Sequence, residues 1–290
     1  MLTALLLGLA GCAGFAPEPV VKTGHVQPET LRLMSSLDMD RGAPILIRVF
    51  KQDSILEVWK QDHAGRYGLL KSYPICRFSG ALGPKKTEGD HQAPEGFYEI
   101  TREQLNPYSH EYLAFNVGYP NKFDQSLGRT GSFVMVHGGC RSVGCYAMTD
   151  AQMDEIYGLV YEALQSGQDR IQLQALPFQM TAQNLAQHSD DPNRPFWAML
   201  KSGSDAFIAT RTPPRVAVCG QQYVFNAGVS GDSLDPSAPC PPGIGPAVAS
   251  NGPAEVSPMT ARSSSYAAHQ PEQNGDSISQ LIEQNGAAQR

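Results

Sequence analysis

Residues 136–145, VHGGCRSVGC, place His137, Cys140 and Cys145 among three glycines. A thiol and an imidazole this close in sequence offer a nucleophile and its base: sulfur attacks a carbonyl and the ring carries the proton. Gly138 and Gly139 allow a sharp turn after His137. Gly144 lets backbone approach a substrate, and the N–H groups around Gly144 and Cys145 are expected to receive a developing oxyanion. Ser142 supplies a hydroxyl to orient the loop or the imidazole. A helix is expected to begin just beyond, and a thiol near a helix N-terminus and an imidazole should lose its proton more easily. Three other readings stay open. The H-x2-C and C-x4-C spacings suit zinc, although no nearby His or Cys supplies a fourth ligand. A Cys140–Cys145 disulfide would silence the nucleophile, and a plain glycine turn would carry no chemistry.

The compartment bears on this choice. MLTALLLGLAG is an apolar run too short for a bilayer, which needs roughly 20 residues, and it reads as a signal h-region. Leu9–Cys12, LAGC, resembles a bacterial lipoprotein lipobox, so lipidation is expected at Cys12, with a lipid anchor as the sole membrane attachment. An ordinary secretory cleavage is the alternative, and no Lys or Arg precedes the apolar run. Either way the expected location is the cell envelope, periplasmic and oxidising. Of six cysteines, five remain once Cys12 carries lipid, so at least one thiol stays unpaired. Pairing Cys76 with Cys140 and Cys219 with Cys240 would leave Cys145 free.

The elements that must position these residues are mostly strands. PILIRVF and SILEVWK, joined through KQD, read as a hairpin, and RYGLLKSYPI, EGFYEIT, YLAFNVGY and SFVMVH continue a mainly antiparallel series. SFVMV is a continuous apolar strand that delivers His137 to its end. TDAQMDEIYGLVYEALQSG opens with a Thr149/Gln152 capping box, repeats its apolar residues at helical spacing and ends at Gly167, so it should cover one face of the sheet. TLRLMSSLDMDRG reads as a short helix closed by Gly42. RIQLQALPF follows as a strand, then PFWAMLKSGSDAF and RVAVCGQQYVF as a helix and a strand in an appended lobe. From Ala227 to Arg290, 25 of 64 residues are Gly, Pro or Ser and one is aromatic, too little apolar surface to offset chain entropy. The expected divisions are 1–12 signal, 13–43 tether and short helix, 44–176 catalytic domain, 177–226 small α/β extension and 227–290 disordered tail. With a net charge of -6 and no basic cluster, nucleic acid is excluded as a partner.

HGGCRSVGCYAMTD resembles the catalytic signature of the YkuD-type L,D-transpeptidases, a histidine–glycine pair followed by Ser/Thr-x-Gly-Cys. The likeness is nearest to the YafK branch, also called DpaA, and extends over roughly residues 44–225 through RVFKQDSILEVW, YPICRFSGALGPKKTEGDHQAPEGFYEI and FNVGYPNKFDQSLGRTGSFVMVHG. It implies a mainly β, sandwich- or barrel-like catalytic domain with one packed helix. Cys145 would be the nucleophile and His137 the base. The implied substrate is the peptidoglycan stem peptide, attacked at meso-diaminopimelate through a thioester, with no metal or organic cofactor. Most of the family carries a second histidine where Val143 stands and many an arginine where Ala147 stands, a side chain suited to gripping a carboxylate. The YafK branch shares both changes, which implies hydrolysis of the bond to a covalently attached outer-membrane lipoprotein. The alternatives are 3-3 crosslinking, lipoprotein attachment, or a non-catalytic peptidoglycan-binding scaffold. Lys85, Lys86, Lys122 and Arg129 are the candidates for binding diaminopimelate carboxylates.

Overall fold

A computed structural model describes residues 21–228 and 234–244. The signal-like run, Cys12 and the far C-terminal stretch lie outside the described residues. The elements in chain order are α1 Pro28–Ser36, β1 Ile45–Phe50, β2 Ile55–Gln61, β3 Tyr67–Pro74, β4 Arg77–Phe78, β5 Gly96–Ile100, β6 Leu105–Asn106, β7 Ala114–Asn116, α2 Lys122–Ser126, β8 Met135–His137, β9 Tyr146–Ala147, α3 Asp150–Gln165, β10 Ile171–Leu176, α4 Ala182–Gln187, α5 Arg194–Thr210, β11 Val216–Cys219 and β12 Gln222–Phe225. The strands form two five-stranded sheets, β3-β2-β1-β10-β5 and β4-β9-β8-β7-β6, and the hairpin β11–β12. The fold is mainly β, as expected. Among the described residues no helix is long and apolar enough to cross a membrane.

ILIRVF does not alternate because β1 lies at the centre of the first sheet and is buried on both faces. Ile45, Ile47 and Val49 join a core shared with α3 and the second sheet, where Ile156, Val160, Phe115 and Val136 meet them. Leu46 and Phe50 face the opposite way, toward Phe207 and Trp197 of α5. Arg48 lies on that side too. Its guanidinium donates to Gln174 Oε1 (3.1 Å) and Ser204 Oγ (2.7 Å), and burial lowers its pKa to about 10.

The helix capped at Thr149 forms as expected, with Thr149 Oγ1 accepting from Gln152 N–H and Gln152 Oε1 accepting from Thr149 N–H. Five expectations are corrected. α1 stops at Ser36 rather than at Gly42, because Asp38 takes a left-handed φ of 60° and turns the chain early. SFVMV is strand only from Met135, since Phe133 leaves the sheet at φ 51° and is 79% exposed. RVAVCGQQYVF is two strands, turned at Gly220 and Gln221 (φ 57° and 58°), as a two-residue hairpin requires. Nor does the extension stand apart as a lobe: Tyr223 and Trp197 pack with Phe50 and Phe97 of the first sheet. Residues 234–244 fall within the stretch read as tail, yet Cys240 is bonded to Cys219, and Gly220 N–H donates to Ala238 C=O (2.7 Å).

Candidate active site

β8 and β9 are parallel neighbours, with Val136 opposite Tyr146 and His137 opposite Ala147. Parallel neighbours commonly need a crossover of a dozen or more residues, but here eight, 138–145, make it. Left-handed φ values at Gly139 (82°), Cys140 (53°) and Gly144 (122°) fold the arch that tightly. Cys140 is bonded to Cys76, which strapped the loop to the segment entering β4, and Cys219 is bonded to Cys240, the pairings that the odd thiol count suggested. Cys145 is the free cysteine among the described residues. With Cys140 in a disulfide, the His–Cys–Cys zinc reading loses a ligand.

Strand alternation determines what the arch delivers. Register partners in parallel strands share a face, so Met135, His137, Cys145 and Ala147 point one way while Val136, Tyr146 and Met148 enter the core. Thiol and imidazole thus stand on one face of adjacent strands. His137 Nδ1 lies 2.6 Å from Gly138 C=O. A carbonyl only accepts, so Nδ1 carries the proton and Nε2 holds the lone pair of a base.

The thiol is held by backbone. Sγ accepts from Met135 N–H (3.4 Å) and donates to Phe133 C=O (3.8 Å). Among the described contacts none is a hydrogen bond from Sγ to the His137 ring. Burial pushes the Cys145 pKa up, and the Met135 N–H and the charge of Lys85 oppose the shift without reversing it. The shift runs opposite to the expected depression, and desolvation is its largest cause.

The supporting residues divide by role. Ser142 Oγ donates to Cys145 C=O (2.7 Å) and accepts from Cys145 N–H (3.0 Å), and it lies 3.0 Å from Ser79 Oγ. Its single proton goes to the carbonyl, so Ser79 is the donor to it. Ser142 orients the loop and not the imidazole, and Cys145 N–H, expected to receive an oxyanion, is already engaged. Gly138 and Gly139 fit against protein: a Cβ at Gly138 would meet Asp150 Oδ1 at 2.7 Å, and one at Gly139 would meet Glu111 Oε2 at 2.0 Å. Gly144 has open space where a Cβ would be.

The candidate cations fare differently. Lys85 is buried and bonded to Asp90 Oδ1 (2.6 Å) and Thr87 C=O (2.9 Å). Burial pushes the Asp90 carboxyl up, but Lys85 and the N–H groups of Lys86, Thr87 and Gln92 outweigh it and hold its pKa at about 2. Arg129 is engaged with Asp124 Oδ1 (2.8 Å) and stacked over Phe123. Lys122 opens α2 and lines a separate groove. Neither Lys85 nor Arg129 is therefore available to replace the arginine absent at Ala147, which is itself fully buried. Sequence reasoning missed Phe133, Met135 and Ser79, because two act through backbone and the third lies in a distant loop. Asp150, the first residue of α3, also holds the arch, its Oδ1 accepting from Gly139 N–H (2.8 Å).

Residues 44–173 match the model of the L,D-transpeptidase catalytic domain, YkuD. The chain is 43% identical over 195 residues to YafK of Escherichia coli (strain K12), which bears an L,D-transpeptidase name, covering 67% of this chain and 79% of that protein. The same identity and coverage hold for YafK of Escherichia coli O157:H7. Among solved structures, the helical cell shape determining protein Pgp2 of Campylobacter jejuni is similar at 20% identity, covering 66% of this chain and 80% of that one with a TM-score of 0.38. Identity of 43% over 79% of YafK, together with the family match over residues 44–173, makes this chain a member of the L,D-transpeptidase family.

Proposed function

We propose that this protein is a cysteine enzyme of the cell envelope that acts on peptidoglycan stem peptides at meso-diaminopimelate, and that it hydrolyses the amide joining diaminopimelate to a covalently attached lipoprotein. The observation that carries the reading is the free Cys145 thiol on the same sheet face as His137, whose Nδ1 is engaged so that Nε2 serves as the base. As Sγ attacks the amide carbonyl, its proton passes to His137 Nε2 and a tetrahedral oxyanion forms. His137 returns the proton to the leaving amine, and the C–N bond breaks to give a thioester. Water, losing a proton to Nε2, then attacks the thioester and releases the carboxylate and the thiol. Because burial favours the neutral thiol, the imidazole takes that proton during attack rather than stabilising a thiolate formed beforehand.

Hydrolysis is favoured over transfer to an amine by the fate of the cations. Ala147 is buried where many of the family carry an arginine, and Lys85 and Arg129 are paired with Asp90 and Asp124, so none of these three positions offers an acceptor's carboxylate the two parallel bonds an arginine would. The test is incubation with lipoprotein-linked muropeptides, read by mass spectrometry. Release without new crosslinks is expected, and 3-3 dimers or fresh lipoprotein attachment would identify a transpeptidase instead. Cys145→Ala should lower the rate by a factor on the order of 10⁴ or more, since the covalent step is lost. A variant that keeps full function in the envelope would identify a binding scaffold. Cys12 lipidation and signal cleavage are part of the same proposal, tested by the intact mass of the membrane-extracted protein.

A further inference from the structure

β4 is an edge strand of the second sheet and pairs with β9, Arg77 opposite Ala147 and Phe78 opposite Tyr146. Register partners share a face, so Arg77, Ala147 and His137 form one row across three strands on the side that holds the thiol. Two contacts agree with that orientation. Phe78 packs against the core that takes Tyr146 and Val136. Ser79, the next residue on the Arg77 side, lies 3.0 Å from Ser142 Oγ, which is bonded to both the N–H and the C=O of Cys145. Cys145 immediately precedes β9 and is therefore the diagonal neighbour of Arg77, about 7–8 Å away between Cα atoms and within reach of a long side chain.

The charge of Arg77 is uncompensated. Lys85 is paired with Asp90 and Arg129 with Asp124, whereas Arg77 is exposed and its guanidinium has no hydrogen bond, ion pair or ring contact among the described residues. Its backbone is nonetheless fixed. Cys76 N–H donates to Ala147 C=O (2.9 Å), and the Cys76–Cys140 disulfide bonds the residue before Arg77 to the arch that carries Cys145. A guanidinium on a pinned backbone is partly preorganised, and its paired N–H donors match a carboxylate. Arg141, in the arch itself, is exposed and unpaired too, but it follows the left-handed Cys140 and belongs to no strand, so no register ties it to the site face.

We propose that Arg77 is a substrate-binding residue of this site and grips the free carboxylate of the diaminopimelate whose carbonyl Cys145 attacks. The assignment rests on the thiol chemistry proposed above and adds to it the side chain that selects the acyl group. The test uses two alkylating reagents of similar size, anionic iodoacetate and neutral iodoacetamide, and reads by peptide mass mapping the rate at which each modifies Cys145 in the full protein. The iodoacetate-to-iodoacetamide rate ratio is expected to fall about fivefold in Arg77→Gln, to be largely kept in Arg77→Lys and in Arg141→Gln, and to shrink at high salt in the unaltered protein. On lipoprotein-linked muropeptides, Arg77→Gln should raise KM about tenfold for stems with a free diaminopimelate carboxylate and leave KM for the amidated stem unchanged, with a smaller effect on kcat. The proposal is overturned if the alkylation ratio is the same with and without Arg77, if Arg141→Gln removes the preference instead, or if the unaltered protein binds free and amidated stems alike. A Cys145 that reacts with neither reagent would overturn the thiol chemistry and this assignment with it, an outcome distinct from an unaltered ratio. A ratio that depends on Arg77 without turnover of either stem would overturn the peptidoglycan reading, and with it the diaminopimelate assigned here.

Discussion

At the scale of residues, the protonation state of Cys145 separates two kinds of thiol enzyme. Burial raises its pKa, so iodoacetamide labelling of Cys145 should increase with pH to a midpoint above the ordinary thiol value of about 8.5. A midpoint well below that would mean a resting thiolate and would restore the ion-pair mechanism. Cys145 and His137 were candidates in the sequence because type and spacing alone suggest their chemistry, and the fold leaves that thiol free on the face that holds the imidazole. The state of the thiol was not, since it depends on how much water the folded chain removes and on the backbone of Phe133 and Met135, whose groups have no sequence signature. Lys85 and Arg129 illustrate the opposite error. A cation in a loop reads as available until the fold supplies Asp90 and Asp124.

At the scale of elements, the arch 138–145 and the loop 79–95 hold the site from two sides. The Cys76–Cys140 disulfide closes a sequence separation of 64 residues, and Cys76→Ser/Cys140→Ser should cost about 2–4 kcal/mol in denaturant unfolding. On the proposed mechanism it should also lower kcat more than it raises KM, since the arch carries Cys145. Asp90 supplies a pH test of the other side. Its carboxyl is depressed in the folded state, so its stabilisation is complete above the unfolded value of about 3.9 and is lost as pH falls toward about 2. Asp90→Asn should remove that acid limb from a stability–pH curve, and an unchanged limb would place it in other carboxylates. The long elements were readable from periodicity, α3 down to its capping box. The two-residue strands β4, β6 and β9 of the second sheet were not, because a run so short has no measurable period and exists only through its neighbours.

At the scale of the molecule, the C-terminal extension acts as a second wall of the core. Gly203 of α5 lies so close to Phe97 and Phe225 that an added Cβ would come within 2.4 Å of Phe97 Cζ. Gly203→Ala should therefore destabilise the protein by about 1–3 kcal/mol and shift one cooperative thermal transition. A separate early transition would instead mark the extension as an independent lobe. The sequence resembled an appendage here because its apolar residues follow the catalytic stretch, and nothing in their spacing indicates that they return to β1. The pairing of β1 with β10, Ile47 opposite Leu173, has a temporal consequence. All the residues that the proposed mechanism uses are synthesised between these two strands, so a nascent chain contains Cys145 and His137 well before the sheet that aligns them can close. The nucleophile should stay idle until residue 176 has emerged, and a chain stopped short of it would have the whole signature and no enzyme.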